Sequence, residues 1–327
     1  MLYFFIVLLL VVSSLQDVSA FPSSTSNTNK KSAATETAAK ILQQRRRQFL
    51  SSIISSSSSI IIPTTITATQ QPANAAIRDP KTGILLPSVG EIEASIPQTW
   101  DEDDNPFTSS LSDTVSFARL DSSDDKIFYA EPRFVEHVDD KAVESMTSYI
   151  TDRLLQNGDA VLDLCSSWTS HIAPGKLDLK RVAGLGMNAK ELEANTALTE
   201  WTVQDLNENK NVKLPYEHDA FDVVMCQLSI DYLIHPLQVM KEVSRVLKPG
   251  GKVAILISNR LFLTKAVGLW TGSDDLEHAY TVGSYLRYCG GGFDNIKAED
   301  LSTRKKNGKE QMIVGDPLYV ITATKKL

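Results

Sequence analysis

Three acids fall where strands of an alternating strand–helix chain would end. Asp163 lies in AVLDL (160–164), Asp205 closes WTVQD (201–205), and Asp231 follows FDVVMCQLSI (221–230). A carboxylate among buried neighbours needs partners. Asp163 and Asp205 can accept from a ligand, and Asp231 can act as general base toward a hydroxyl or amine. Each can instead cap the turn or helix that follows. Polar and small residues cluster at the same strand ends: Cys165-Ser166-Ser167-Trp168, Gly186-Met187-Asn188, Leu206, Tyr232 and Asn259-Arg260. Small residues let backbone N–H groups approach a ligand. Asn188 can cap the helix after it. Arg260 can grip an acidic ligand bidentately or pair with an acid of the chain. His171 stands near the first turn and His235 precedes Pro236; a core or helix-start role is the simpler expectation for both. Tyr129, Phe134 and His137 can form a lid over a pocket or pack an apolar arm on the sheet.

The elements that must position these residues follow from periodicity. Five apolar runs, AVLDL, RVAGL (181–185), WTVQD, FDVVMCQL (221–228) and VAILIS (253–258), read as buried strands. Val143, Met146, Ile150 and Leu154 share one helical face over 139–155, capped by Asp139 or Asp140 and stopped at Asn157-Gly158. Leu237, Met240, Val243, Val246 and Leu247 share another after Pro236. Pro174-Gly175 shortens or breaks the first crossover helix. Pro249-Gly250-Gly251 turns the chain into the fifth strand. Residues 293–301 and 317–324 read as a closing antiparallel pair, joined by the basic loop 304–309. The alternation predicts an α/β, doubly wound, Rossmann-like sheet, mostly parallel with an antiparallel final strand, behind an N-terminal extension. Ligands of such sheets sit outside the strands' carboxyl ends.

Composition narrows the function. The 327 residues carry 33 Lys/Arg and 40 Asp/Glu, a net charge of −7. Six of the basic residues and two of the acids precede position 76, so 76–327 holds 27 basic against 38 acidic residues. A body of charge −11 is a poor match for phosphate backbones, so no nucleic-acid partner is expected. Cys165, Cys226 and Cys289 form no CxxC pair, and no metal site is expected. Gly290-Gly291-Gly292 lacks the Lys-Ser/Thr of a phosphate loop and reads as a turn.

The first 75 residues read as targeting sequence. LYFFIVLLLVV (2–12) is too short to span a bilayer comfortably, and Val18-Ser19-Ala20 supplies small cleavage-site residues. A Ser/Thr-rich stretch, nearly free of acids, follows Phe21-Pro22. This arrangement resembles the bipartite plastid presequence of diatoms and related algae. Arg46-Arg47-Gln48-Phe49-Leu50, the run to 68 and Ala73-Asn74-Ala75 resemble a thylakoid-lumen transfer signal; a stromal transit peptide is the alternative. The division implied is a signal peptide at 1–20, a transit segment at 21–75, an arm at 76–138 and the main domain at 139–327. A plastid location is expected, with no stable membrane span in the mature chain.

VLDLCSSW, Asp205, FDVVMC and VLKPGGKVAIL together resemble class I S-adenosylmethionine-dependent methyltransferases of the type 11 kind, over about 117–327. The runs LDLCSSW, GLGMN and SNR are similar to those of a plant, algal and bacterial methyltransferase-like group. The resemblance implies S-adenosyl-L-methionine as cofactor and a small-molecule acceptor. It places Asp163, Ser166, Ser167, Gly186, Asn188, Asp205 and Leu206 on the cofactor side. Asn259, Arg260 and Tyr232 fall on the substrate side, with Asp231 as the catalytic candidate. Two departures stand out. The family's D-x-G-x-G turn is here Asp163-Leu164-Cys165-Ser166-Ser167, with Trp168 adding bulk, and the usual acid ending the second strand is missing, which by the resemblance leaves Asn188 to bond the sugar hydroxyl. They leave two further readings open, a non-catalytic binding or assembly factor and an enzyme for another nucleoside-like ligand. Space for a nucleoside between Asp163, Asn188 and Asp205 favours a methyltransferase or an enzyme for another nucleoside-like ligand; Trp168 filling that space favours the non-catalytic reading.

Overall fold

The structure is a computed structural model that describes residues 78–79, 81–107, 117–307 and 310–327. The expected presequence, residues 1–75, lies outside the described residues.

Short helices α1 (Glu91–Ala94) and α2 (Asp125–Phe128) belong to the arm. Helix α3 (Asp140–Tyr149) starts at Asp139, whose side chain accepts from the Ala142 N–H, and continues into a π-turn over Ile150–Leu154. Strand β1 (Ala160–Leu164) follows, then β2 (Arg181–Gly186), α4 (Ala189–Ala194), β3 (Glu200–Val203) and β4 (Phe221–Gln227). Helix α5 (Pro236–Val246), β5 (Leu247–Ile257), α6 (Asp275–Tyr288), β6 (Phe293–Asp300), β7 (Arg304–Asn307), β8 (Glu310–Ile313) and β9 (Tyr319–Lys325) complete the chain.

Seven strands form one sheet in the order β3-β2-β1-β4-β5-β9-β6. The first five pair in parallel, and β9 runs antiparallel to both β5 and β6. Alternating side chains divide between two cores, as the two-residue period of a strand requires. Val161, Val223, Met225, Ala254, Leu256 and Val320 pack under Ala142, Met146 and Ile150 of α3 and its π-turn. Leu162, Leu185, Val224, Ile255 and Ile321 pack under α5 and α6, through Val239, Val243, Val282 and Leu286. Both faces of the central strands are covered, so β1, β2 and β4 are near-continuous apolar runs, while β3 at the edge is largely exposed.

Local structure departs from the sequence expectations in four places. No helix forms between β1 and β2; residues 165–180 run as loop and turn, consistent with Pro174-Gly175. Helix α6 was not foreseen. Its apolar positions are spaced irregularly, but Asp274 and Glu277 make a reciprocal capping box that marks its start. The basic segment after β6 is not all loop, since β7 and β8 pair as a separate two-stranded sheet. The third strand ends at Val203, leaving Gln204 and Asp205 beyond it.

Candidate active site at the carboxyl ends of the strands

Strand order reverses between β1 and β4, where the chain crosses from one half of the sheet to the other. A cavity of about 390 Å3 lies at that switch point, within the roughly 300–1,000 Å3 typical of small-molecule sites. Asp163, Gly186 and Gln227 line it from β1, β2 and β4, and Asp205 and Leu206 from beyond β3. Tyr129 and Glu136 reach it from the arm.

Asp163 is almost fully buried. Its Oδ2 accepts from Ser166 Oγ at 2.7 Å and Ser170 Oγ at 2.6 Å, and its Oδ1 from Gln227 Nε2 at 3.1 Å. Burial raises its pKa despite these hydrogen bonds and nearby His171. Asp163 thus borders the cavity and also organises the turn after β1. Ser167 Oγ donates to Glu191 Oε2 at 2.8 Å, so both serine hydroxyls have protein partners. The strain of the glycine-free turn falls on neither serine. Cys165, at the first glycine position of the D-x-G-x-G pattern, takes φ 58° in the left-handed region.

Gly186 is sterically required. A Cβ there would lie 2.1 Å from the Ser166 carbonyl oxygen, because the end of β2 runs against the β1 turn. Asn188 is engaged elsewhere than in the cavity. Its Oδ1 accepts from the N–H groups of Lys190 and Glu191, and its Nδ2 donates to the Tyr129 and Ala130 carbonyls at 2.9 and 3.1 Å. The sugar-binding expectation for Asn188 gives way to a helix cap that also ties down the arm. Glu191, in the first turn of α4, lines the cavity instead. It is the carboxylate that sequence reasoning missed beside β2, and its place three residues after the capping Asn188 was the available signal. Its Oε1 accepts from the Arg133 N–H at 2.6 Å.

Asp205 Oδ1 accepts from the Asn207 N–H at 2.8 Å, and burial, with Asp125 and Asp124 nearby, raises its pKa. Leu206 is buried against the same wall. Asp231 sits behind the cavity and does not line it. It is buried, its Oδ2 has no hydrogen-bond partner, and burial pushes its pKa up to about 8. Tyr232 does line the cavity; its hydroxyl accepts from the Phe262 N–H at 2.9 Å and bonds the Asp231 carboxyl.

Arg260 borders the cavity, but its Nη2 lies 2.6 Å from Asp316 Oδ1 and 2.9 Å from Asp79 Oδ2. Asn259 Nδ2 donates to Asp79 Oδ2 at 2.7 Å, away from the cavity. The substrate-side expectation for Asn259 and Arg260 therefore meets an internal ion-pair cluster. Trp168 stands in the wall with Nε1 donating to the Val135 carbonyl at 3.3 Å, and leaves the space open. Of the lid candidates, Tyr129 and His137 line the cavity, while Phe134 is half exposed outside it.

Residues 165–255 match a family model described as a methyltransferase domain. That stretch, from the turn after β1 into β5, is similar to a methyltransferase domain. A 27-O-demethylrifamycin SV methyltransferase of Amycolatopsis mediterranei is 30% identical over 123 residues, 35% of this chain and 45% of that protein. A demethylmenaquinone methyltransferase of Bacillus mycoides is 31% identical over 122 residues, 36% of this chain and 51% of its own. The chain thus spans about half the length of these curated relatives. A solved SAM-dependent methyltransferase, a possible histamine N-methyltransferase from Thermotoga maritima, aligns at 18% identity with a TM-score of 0.41. That alignment covers 57% of this chain and 90% of that one.

The residues present fit the implied cofactor on two counts. Gly186 lets the end of β2 pack on the turn after β1, where a Cβ would strike the Ser166 carbonyl, and Asp205 and Glu191 present carboxylates on the β3 and β2 sides of the cavity. They differ from the usual site in the glycine-free turn and in the engagement of Asn188.

Proposed function

We propose that the chain transfers a methyl group from S-adenosyl-L-methionine to a small-molecule acceptor. The observation that carries this reading is the open cavity at the β1/β4 switch point of a methyltransferase domain, with Trp168 in its wall rather than its centre. That opening also weighs against the non-catalytic alternative. When bound, the cofactor supplies a methyl group activated on a sulfonium sulfur. Asp205 and Leu206 would hold its adenine end, and Glu191 would be the carboxylate toward its sugar.

Methyl transfer is an in-line displacement that depends chiefly on positioning and water exclusion. Tyr129, Phe262 and Tyr232 form an apolar wall suited to both. Tyr232 is the acceptor-side polar group, held in place by the Phe262 N–H and the Asp231 carboxyl. The relatives' names specify different acceptors, so none is carried over. The acidic body supports a partner other than nucleic acid. Among the described residues no helix is long and apolar enough to cross a membrane.

The presequence pattern supports import into the plastid, with the thylakoid lumen as the destination if the Arg46-Arg47 signal is used. A fluorescent fusion to residues 1–75 tests this, and a diffuse cytosolic signal would refute it.

Calorimetric titration of the chain with S-adenosylmethionine and S-adenosylhomocysteine tests the activity reading. Saturable binding of both is expected, weakened about tenfold by Asp205→Ala through loss of a charge-assisted hydrogen bond. A folded chain that binds neither ligand overturns the reading.

A further inference from the structure

His171 is a cation built into the cavity wall. Gln227 Nε2 donates to Asp163 Oδ1 at 3.1 Å and to the Ser170 carbonyl at 3.2 Å, which fixes the orientation of its amide. Its Oε1 therefore faces His171 Nδ1, 2.7 Å away, and that nitrogen must carry a proton. The other nitrogen, Nε2, lies 3.1 Å from Glu136 Oε2. A carboxylate only accepts, so this nitrogen is protonated too, and the ring is an imidazolium. Its pKa is raised accordingly: burial opposes the charge, and the Glu136 contact outweighs it.

The other cationic side chains around the cavity are otherwise occupied. Arg260 pairs with Asp79 and Asp316. Arg133 stacks on the Phe128 ring at 4.4 Å and donates to the Phe128 carbonyl. Burial and the Arg133 charge lower the pKa of His137. The anion on His171 comes from the arm, and the Glu136 side chain is 32% exposed. The arm thus holds a carboxylate against the cavity's imidazolium, where a carboxylate of a ligand could replace it.

Position within the sheet indicates which part of a ligand this is. Asp205 follows β3, while His171 bonds to the end of β4, three strands away in the order β3-β2-β1-β4. Three strand spacings make about 14 Å, the reach of an extended nucleoside with an amino-acid tail. With its base at Asp205, such a ligand brings its tail to His171. Asp163 lies at that end and repels a carboxylate unless a cation stands beside it. The turn there lacks the glycines that would let backbone N–H groups serve instead.

We infer that His171 is the binding position for the carboxylate of an amino-acid-bearing nucleoside, held in the free protein by Glu136 of the chain's own arm. This rests on the proposed methyl-donor reading and adds to it the group that selects the ligand's tail.

The test compares S-adenosylhomocysteine with 5′-methylthioadenosine, which lacks the carboxylate and amine, by titrating the full chain and two variants. His171→Gln should weaken S-adenosylhomocysteine binding by about ten- to a hundredfold, the worth of a charge-assisted hydrogen bond. It should leave 5′-methylthioadenosine binding unchanged, which also reports that the cavity is folded. Glu136→Gln should tighten S-adenosylhomocysteine several-fold, because the internal competitor is gone, and should leave the other ligand unaffected. Equal weakening of both ligands by His171→Gln, or weaker S-adenosylhomocysteine binding in Glu136→Gln, overturns the inference while leaving the methyl-donor reading intact. A wild-type chain that binds neither ligand overturns both.

Discussion

Asp231 shows how far burial alone can shift a side chain's role. Its carboxyl has one oxygen without a hydrogen-bond partner, and its pKa is about 8. A carboxyl whose folded pKa exceeds its unfolded value near 3.8 favours the folded state fully only below the unfolded pKa. That contribution is lost as pH rises through 8. Asp231→Asn removes the titration. The stability of the wild type relative to this variant should therefore fall between pH 4 and pH 8, by at most about 1.4 kcal/mol per pH unit. Paired denaturant melts at pH 5 and pH 8 measure it, and parallel curves would refute the burial argument. Gly186 gives a steric counterpart. Gly186→Ala places a methyl group on the Ser166 carbonyl and should cost about 3 kcal/mol of stability, readable in the same melts. At this scale the sequence showed which positions border the cavity: Asp163, Gly186, Asp205 and Tyr232 all do. It could not show that Asn188 and Asn259 turn to other partners, because those partners, the 129–130 carbonyls and Asp79, are remote in the chain.

Among the elements, the arm depends on a few polar ties. Asn188→Ala removes the cap of α4 and leaves two arm carbonyls without their donor. A loss of about 1–2 kcal/mol follows from the cap, and amide exchange across 126–138 should accelerate. Unchanged exchange there would show that the arm is held by other contacts. Arg260 joins the loop after β5 to Asp79 and Asp316, both nearly fully buried. Arg260→Ala takes from Asp79 its ion-pair partner, leaving the Asn259 amide, and from Asp316 one of two, leaving Lys81, and should cost at most about 3 kcal/mol; Arg260→Lys should recover part of it, since a point charge cannot reproduce the fork of contacts. Strands β1, β2, β4 and β5 were legible because burial on both faces writes them as apolar runs; β3, exposed at the sheet edge, was legible by its β-branched and aromatic residues Trp201, Thr202 and Val203. Helix α6 was not, because its buried face includes Asp275, His278, Gly283 and Ser284 and breaks the apolar stripe. The β7–β8 pair was hidden by its basic, polar residues, which carry no period-two signal.

At the scale of the molecule, the fold was legible because the order of strands and turns constrains a doubly wound sheet tightly. The site was legible only as a location. Its chemistry depends on which polar groups already satisfy one another, and that is decided by contacts between segments far apart in sequence. The arm is the clearest case: it reads as an extension, yet Tyr129, Glu136 and His137 form part of the cavity wall. That wall has a kinetic consequence. A ligand held against Tyr129, Glu136 and His137 is released sooner the more often the arm lifts from it. Loosening the Trp168–Val135 contact should therefore shorten the residence time of every ligand that touches the arm.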